Sequence, residues 1–266
     1  MKRGIQIAAV MLAVVSILGC ATIDIAGKAG FTKEYIKAGD FTLLSYQRFN
    51  KLSDKISIYI EGDGRAWEAK HRLSDDPTPS NPVALKLAAL DPADNVVYIA
   101  RPGQYSPTDI PECNSKYWSG YRFAPEVIDS FNSAIDILKE KSGVKFVKLI
   151  GYSGGGAIAV LVAARRSDVN ALVTVAGNLN PKAFCAYHHV TQLDGSLDPM
   201  DVAKAVTHIP QRHFVGSRDK IVPFAIVESF VKIEKGENYE CITVVEGASH
   251  NDDWGKRWKE LLLIPL

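Results

Sequence analysis

Three short segments hold a serine, an aspartate and a histidine, each where a strand-like apolar run ends. Gly151-Tyr152-Ser153-Gly154-Gly155 follows the run 147–150. Gly216-Ser217-Arg218-Asp219-Lys220-Ile221-Val222-Pro223 follows His213-Phe214-Val215. Gly247-Ala248-Ser249-His250 follows 242–245. A serine hydroxyl is a weak nucleophile until a base takes its proton. Histidine is that base near neutral pH, and a carboxylate behind it holds the imidazole in the useful tautomer. Together these types permit attack on a carbonyl carbon through a covalent acyl intermediate.

Ser153 has the local context this chemistry needs. A sharp turn between strand and helix strains the backbone and brings the two elements close, so its neighbours must be small. Gly154-Gly155-Gly156 meets that demand and leaves N–H groups free at a helix N-terminus, where negative charge is stabilised. Of the six histidines, His71 lies in a polar loop, and His188 and His189 in an irregular stretch. His208 precedes Ile209-Pro210, and His213 starts a strand. His250 alone follows the last strand on a glycine-containing loop. Asp252, Asp253 and Glu246 are rivals to Asp219, but they stand too near His250 in sequence to sit behind its ring easily.

The elements that must position these residues follow from periodicity. Strand patterns cover 41–49, 56–60, 96–100, 146–150, 171–176, 213–215 and 241–245. Helix patterns cover 82–90, 125–141, 154–166, 224–232 and 254–263. The clearest is 125–141, with Val127, Phe131, Ala134 and Leu138 on one face and Gly143 closing it. Strands alternating with helices predict an α/β fold: a mostly parallel sheet with helices on both faces. Right-handed crossovers gather the loops after the strands at the carboxyl edge. Ser153, Asp219 and His250 each follow a strand, so all three are expected at that edge.

The order serine, aspartate, histidine, with the elbow around Ser153, resembles the α/β-hydrolases. The resemblance covers about 41–263, nearly all of an expected domain at 40–266. It implies acyl transfer to water through a serine ester, with Ser153, Asp219 and His250 catalytic and with no metal and no organic cofactor. The run 216–223 resembles the acid-bearing loop of that superfamily. Ile60-Glu61-Gly62-Asp63-Gly64 resembles its His-Gly motif, with Glu61 where histidine is common. By position the oxyanion donors are the amides of Gly154 and of Asp63, with Gly64 as the alternative. The stretch 178–200, about twenty residues without clear period, is too short for a large lid, so a small cap and short esters are expected. Trp67, Tyr105, Tyr117, Trp118 and Tyr121 either line a pocket or pack the loops down. Arg65 and Arg101 either bind a carboxylate or phosphate or are solvated. A small-molecule ester is the expected substrate. A serine peptidase, a thioesterase or a non-catalytic binding protein shares the fold. The intact trio argues against the last, and oligomeric state is not legible.

Composition is that of an ordinary globular chain, 47% apolar and 23% charged. The net charge of +1 and the lack of a basic tract exclude an electrostatic nucleic-acid binder. Lys2 and Arg3 precede an uncharged run at 5–18, then Leu18-Gly19-Cys20. This reads as a secretory signal at 1–19 and a tether at 20–39. Cys20 after Ile17-Leu18-Gly19 resembles the lipobox of bacterial lipoproteins. That implies cleavage before Cys20, lipid on it, and a membrane partner reached through the anchor. Ala21 beside it points, by resemblance to the bacterial sorting rule, to the outer membrane facing the periplasm. Cys113, Cys185 and Cys241 remain. In an oxidising compartment one pair is expected to bond. Cys241 opens a strand away from the site, so the expected pair is Cys113 with Cys185.

Overall fold

The computed structural model describes residues 22, 24–50, 53–69, 71–106, 113–236, 238–252 and 254–266. Cys20 and the signal and anchor assigned around it lie outside these described residues, as does Asp253. In chain order the strands are β1 (Thr32–Ala38), β2 (Phe41–Phe49), β3 (Lys55–Ile60), the small hairpin β4 (Trp67–Ala69) and β5 (Arg72–Leu73), and β6 (Asn95–Ile99). They continue as β7 (Phe146–Tyr152), β8 (Val169–Val175), β9 (Gln211–Gly216) and β10 (Ile242–Val245). Among the described residues the α-helices of eight or more residues are α1 (Val83–Leu90), α2 (Pro125–Ser142), α3 (Gly154–Ala163), α4 (Pro181–His188), α5 (Phe224–Lys235) and α6 (Trp254–Leu261).

Eight strands form one sheet in the order β1-β2-β6-β3-β7-β8-β9-β10. From β6 to β10 every neighbour is parallel, whereas β1 pairs with β2, and β2 with β6, antiparallel. Parallel strands are covered on both faces and read as continuous apolar runs. Asn95-Val-Val-Tyr-Ile99 is buried at every position. Helices α2, α3 and α5 cover one face through Phe131, Leu138, Ile158 and Phe230. Helices α1 and α6 cover the other through Leu85, Trp254 and Trp258. Fully burying side chains of this size stabilises the fold by roughly 1.5–3 kcal/mol each. The predicted α/β fold with helices on both faces is therefore what the chain forms.

Two segments differ from the sequence reading. Residues 32–38, assigned to a tether, form β1 at the edge of the sheet and pair with β2 along their whole length. An edge strand offers few buried positions, here Ile36 and Ala38 beside exposed Tyr35, so its alternation is faint. Within 178–200 the structure has α4, whose Asn180 side chain accepts Ala183 N–H and whose first residue is Pro181. A 3₁₀ segment, Pro199–Val206, follows, capped by Asp198. Helices of two turns are too short for a periodic signal, but their caps are in the sequence.

Candidate active site

Strand β7 runs directly into α3, and Ser153 is the residue between them. Its φ of 52° and ψ of −120° place a non-glycine residue in left-handed backbone, a conformation that costs on the order of 1–3 kcal/mol. The surroundings hold it there. Ser153 N–H donates to Val175 O at 3.0 Å, and Ser153 O accepts Gly156 N–H and Asn178 N–H at 3.0 and 2.9 Å. The turn is so tight that a Cβ on Gly151 would lie 2.2 Å from Gly155 O, and one on Gly155 would lie 2.3 Å from Ile60 O. This is the physical reason for glycine on both sides of the serine.

The structure brings the three predicted residues into one hydrogen-bonded line. His250 Nε2 lies 3.0 Å from Ser153 Oγ, and His250 Nδ1 lies 2.8 Å from Asp219 Oδ2. The Asp219 side chain is fully buried. Its other oxygen, Oδ1, accepts Ile221 N–H and Val222 N–H, each at 2.8 Å. A carboxylate only accepts, so Nδ1 carries the proton and Nε2 presents its lone pair to the serine hydroxyl. The histidine loop is pinned from beneath. His250 O accepts Trp254 Nε1–H of α6 at 2.9 Å and lies 3.0 Å from the Tyr152 hydroxyl. Among the rival acids, Asp252 is exposed and accepts Ser249 Oγ–H at 3.2 Å, and Glu246 is exposed. His188 lies elsewhere, its Nε2 2.7 Å from Ile221 O. His213 is fully buried beside Thr174 Oγ1, and burial, with Lys235 and Arg212 near, pushes its pKa down to about 3.

The loop after β3 lies across the elbow. A Cβ on Gly62 would sit 3.1 Å from Ser153 Cβ, and one on Gly154 would sit 2.1 Å from Asp63 Oδ1. Among the described residues the amides of Asp63 and Gly154 donate to no protein acceptor. Gly64 has φ +65° and packs against Pro77 O, where a side chain would not fit. The Asp63 carboxylate is held by Arg101 Nη1 at 3.0 Å and Arg122 Nη1 at 2.6 Å. Burial alone would raise its pKa, but the two guanidinium groups keep it below the usual carboxylate range. Glu61, at the position where the superfamily often has histidine, is buried as well. Its Oε1 accepts Gly62 N–H at 2.9 Å and Ala84 N–H of α1 at 3.4 Å. It thus caps a helix whose own N-cap, Pro82, has no side-chain acceptor. Burial pushes the Glu61 pKa up to about 7, against the pull of those amides.

Arg101 is neither solvated nor free for a ligand: it is 4% exposed and spent on Asp63 and Arg122 O. Trp118 is buried with Nε1 donating to Ser74 O, and Tyr117 donates to Glu126, so these two pack the loops down. Trp67 and Tyr121 remain exposed, at 45% and 43%. Cys113, Cys185 and Cys241 are all free thiols, so the expected Cys113–Cys185 bond is absent. Cys185 is turned into the core from α4, whereas Cys113 is half-buried beside Asn114. Burial raises both thiol pKa values, that of Cys113 to about 11. Arg122 and Gln104, which grip the loop after β3, were not singled out from the sequence. Their types are common on surfaces, and Arg122 is 59 residues from Asp63.

Several solved structures share this fold. A bacterial membrane phospholipase A, described as a virulence factor, has 15% identity and a TM-score of 0.60 over 98% of both chains. Est1E from Butyrivibrio proteoclasticus has 16% identity and a TM-score of 0.60 over 87% of this chain and 97% of its own. The Pyrococcus furiosus esterase Pf2001 has 14% identity and a TM-score of 0.57 over 87% and 89%. No curated protein sequence matches the chain. Residues 100–251, more than half of the chain and including the elbow, the Asp219 loop and His250, match the dienelactone hydrolase family. The chain belongs to the dienelactone hydrolase family, within the α/β-hydrolases.

Proposed function

We propose that this hydrolase cleaves carboxylic esters of small molecules through Ser153, His250 and Asp219. The observation that carries the reading is the unbroken line from Asp219 Oδ2 through the imidazole to Ser153 Oγ, at 2.8 and 3.0 Å. As Ser153 Oγ bonds to the ester carbon, His250 Nε2 takes the hydroxyl proton. The carbonyl electrons move onto oxygen, and that oxyanion accepts from the amides of Gly154 and Asp63, with Gly64 the alternative donor. The ester C–O bond then breaks, and the leaving alcohol takes the proton from His250. Water repeats the sequence on the acyl-serine and releases the acid. Asp219 stays ionised and stabilises the imidazolium. Donors fixed before the reaction need no reorganisation as charge develops, which is the source of their effect.

Helix α4 is a small cap, which favours short acyl chains over long triglycerides. Cys20 carries the lipid anchor in this reading and holds the domain at the outer membrane on the periplasmic side. The chemistry is tested by fluorophosphonate labelling followed by p-nitrophenyl esters of rising chain length. The wild type is expected to be labelled on Ser153 and to hydrolyse the short esters fastest. Ser153→Ala is expected to lose the label and roughly 10⁶-fold of the activity, since the trio acts as a unit. Full labelling of the alanine variant would sink the assignment.

A further inference from the structure

The Gly62–Asp63 peptide has glycine on its carbonyl side, so little in the backbone resists rotation about ψ of Gly62. Its orientation nevertheless decides the chemistry. A trans peptide points its C=O and N–H in opposite directions, and no peptide among the described residues is cis. Turned one way, this peptide offers an N–H to an oxyanion; turned the other way, it offers a repelling carbonyl.

One side chain holds the carbonyl. Gln104 Nε2 donates to Gly62 O at 3.0 Å. The other atom of the same amide, Oε1, accepts Arg101 N–H at 3.1 Å. A main-chain N–H binds only an acceptor, so the oxygen and nitrogen of Gln104 cannot be exchanged. Gln104 is 3% exposed, and it is carried on a turn closed by Gln104 N–H to Arg101 O at 3.1 Å. That turn is wedged in place: a Cβ on Gly103 would lie 2.7 Å from the Trp118 ring. From the same turn Arg101 reaches the Asp63 carboxylate. A single turn thus grips the peptide through its carbonyl and through the side chain of the residue that follows.

We infer that Gln104 is a positioning residue: by holding Gly62 O it keeps the Asp63 N–H aimed at the oxyanion site over Ser153. The inference rests on the serine-hydrolase reading above. Gln104 touches no reacting atom and acts only through the peptide it holds.

Gln104→Met keeps length and burial but loses the donor. With a short p-nitrophenyl ester its kcat is expected to fall about 10- to 100-fold, somewhat less than loss of a whole oxyanion donor, with KM within about threefold. Gln104→Glu supplies a readout that a purely structural role would not move. Ionised, its carboxylate repels Gly62 O. Protonated, it donates O–H to Gly62 O while its other oxygen still accepts Arg101 N–H. The ratio of variant to wild-type kcat is therefore expected to rise as pH is lowered from 8 to 5. A Gln104→Met kcat within threefold of wild type overturns the inference, as does a loss confined to KM. So does a Gln104→Glu ratio that is flat with pH, and this arm decides the matter if the methionine variant does not fold. Fluorophosphonate labelling of wild-type Ser153 separates the two levels. Absent labelling fails the serine-hydrolase reading itself, and normal labelling with none of these kinetic signatures fails only the role of Gln104.

Discussion

Asp219→Asn replaces one oxygen of the buried carboxylate by an amide nitrogen, and the structure dictates which one. Oδ1 accepts two backbone N–H groups, from Ile221 and Val222, at 2.8 Å each. An amide nitrogen placed there would face two donors with a donor, at a cost of about 1–3 kcal/mol for each buried group left unpaired. The asparagine therefore keeps its oxygen toward the loop and turns its NH₂ toward His250 Nδ1, 2.8 Å away. Nδ1 must then accept, so the ring proton moves to Nε2. There it points at Ser153 Oγ, 3.0 Å away, and the base is lost. Both loop hydrogen bonds survive, so the fold and the melting temperature should change little. Turnover should fall on the order of 10⁴-fold, equivalent to about 5 kcal/mol at 1.36 kcal/mol per decade. The assay is kcat for a short p-nitrophenyl ester at pH 8, with circular dichroism to check the fold. If Asp219→Asn is mild and Asp252→Asn is crippling, the acid has been misassigned and the tautomer argument fails with it.

Growth with labelled palmitate should label the wild-type chain, and Cys20→Ser should abolish the label; a mature N-terminus elsewhere than Cys20 would refute the anchor. Alkylation under denaturing, non-reducing conditions should modify Cys113, Cys185 and Cys241, and a disulfide-linked peptide joining any two of them would contradict the structure. Burial disfavours the charged form of His213 and pushes its pKa in the folded chain down to about 3, from about 6.5 for an exposed imidazole. Protonation therefore favours the unfolded chain, and the stability it contributes is present above pH 6.5 and lost as pH falls toward 3. Relative to His213→Gln, the wild type should lose about 3 kcal/mol between pH 6.5 and 4, read from urea midpoints. Glu61 and Glu234, both raised to about 7, act in the opposite sense over 4.5 to 7, so the comparison with the variant matters more than the wild-type curve alone. A wild-type-to-variant difference independent of pH would show that His213 is not buried neutral.

What the sequence makes legible here is local, and what it hides is non-local. Ser153 is recognisable because its strain must be relieved within a few residues, and glycines at 151, 154 and 155 record that need. Asp219 and His250 are recognisable because each follows a strand of the parallel sheet, and the crossover rule brings them to one edge. The donor loop is recognisable as Gly62-Asp63-Gly64, but nothing nearby states how it is held. Its supports come from Ala84 in α1, from the Arg101–Gln104 turn and from Arg122, up to 59 residues away. Each is an ordinary residue whose role exists only after the sheet has placed β3 beside β6 and β7. The cysteine expectation failed for the same reason. Both loops were expected at the active edge from strand direction alone, but strand direction does not say which way a side chain turns. Cys185 turns inward from α4 and is 1% exposed, because a short helix packed against the domain buries one face. A nucleophile thus carries its own sequence context, while the groups that aim its oxyanion donors are set by packing. In this chain the Ser153 elbow is accordingly readable from its glycines, and the hold of Gln104 and Arg122 on the loop after β3 is found only in the contacts.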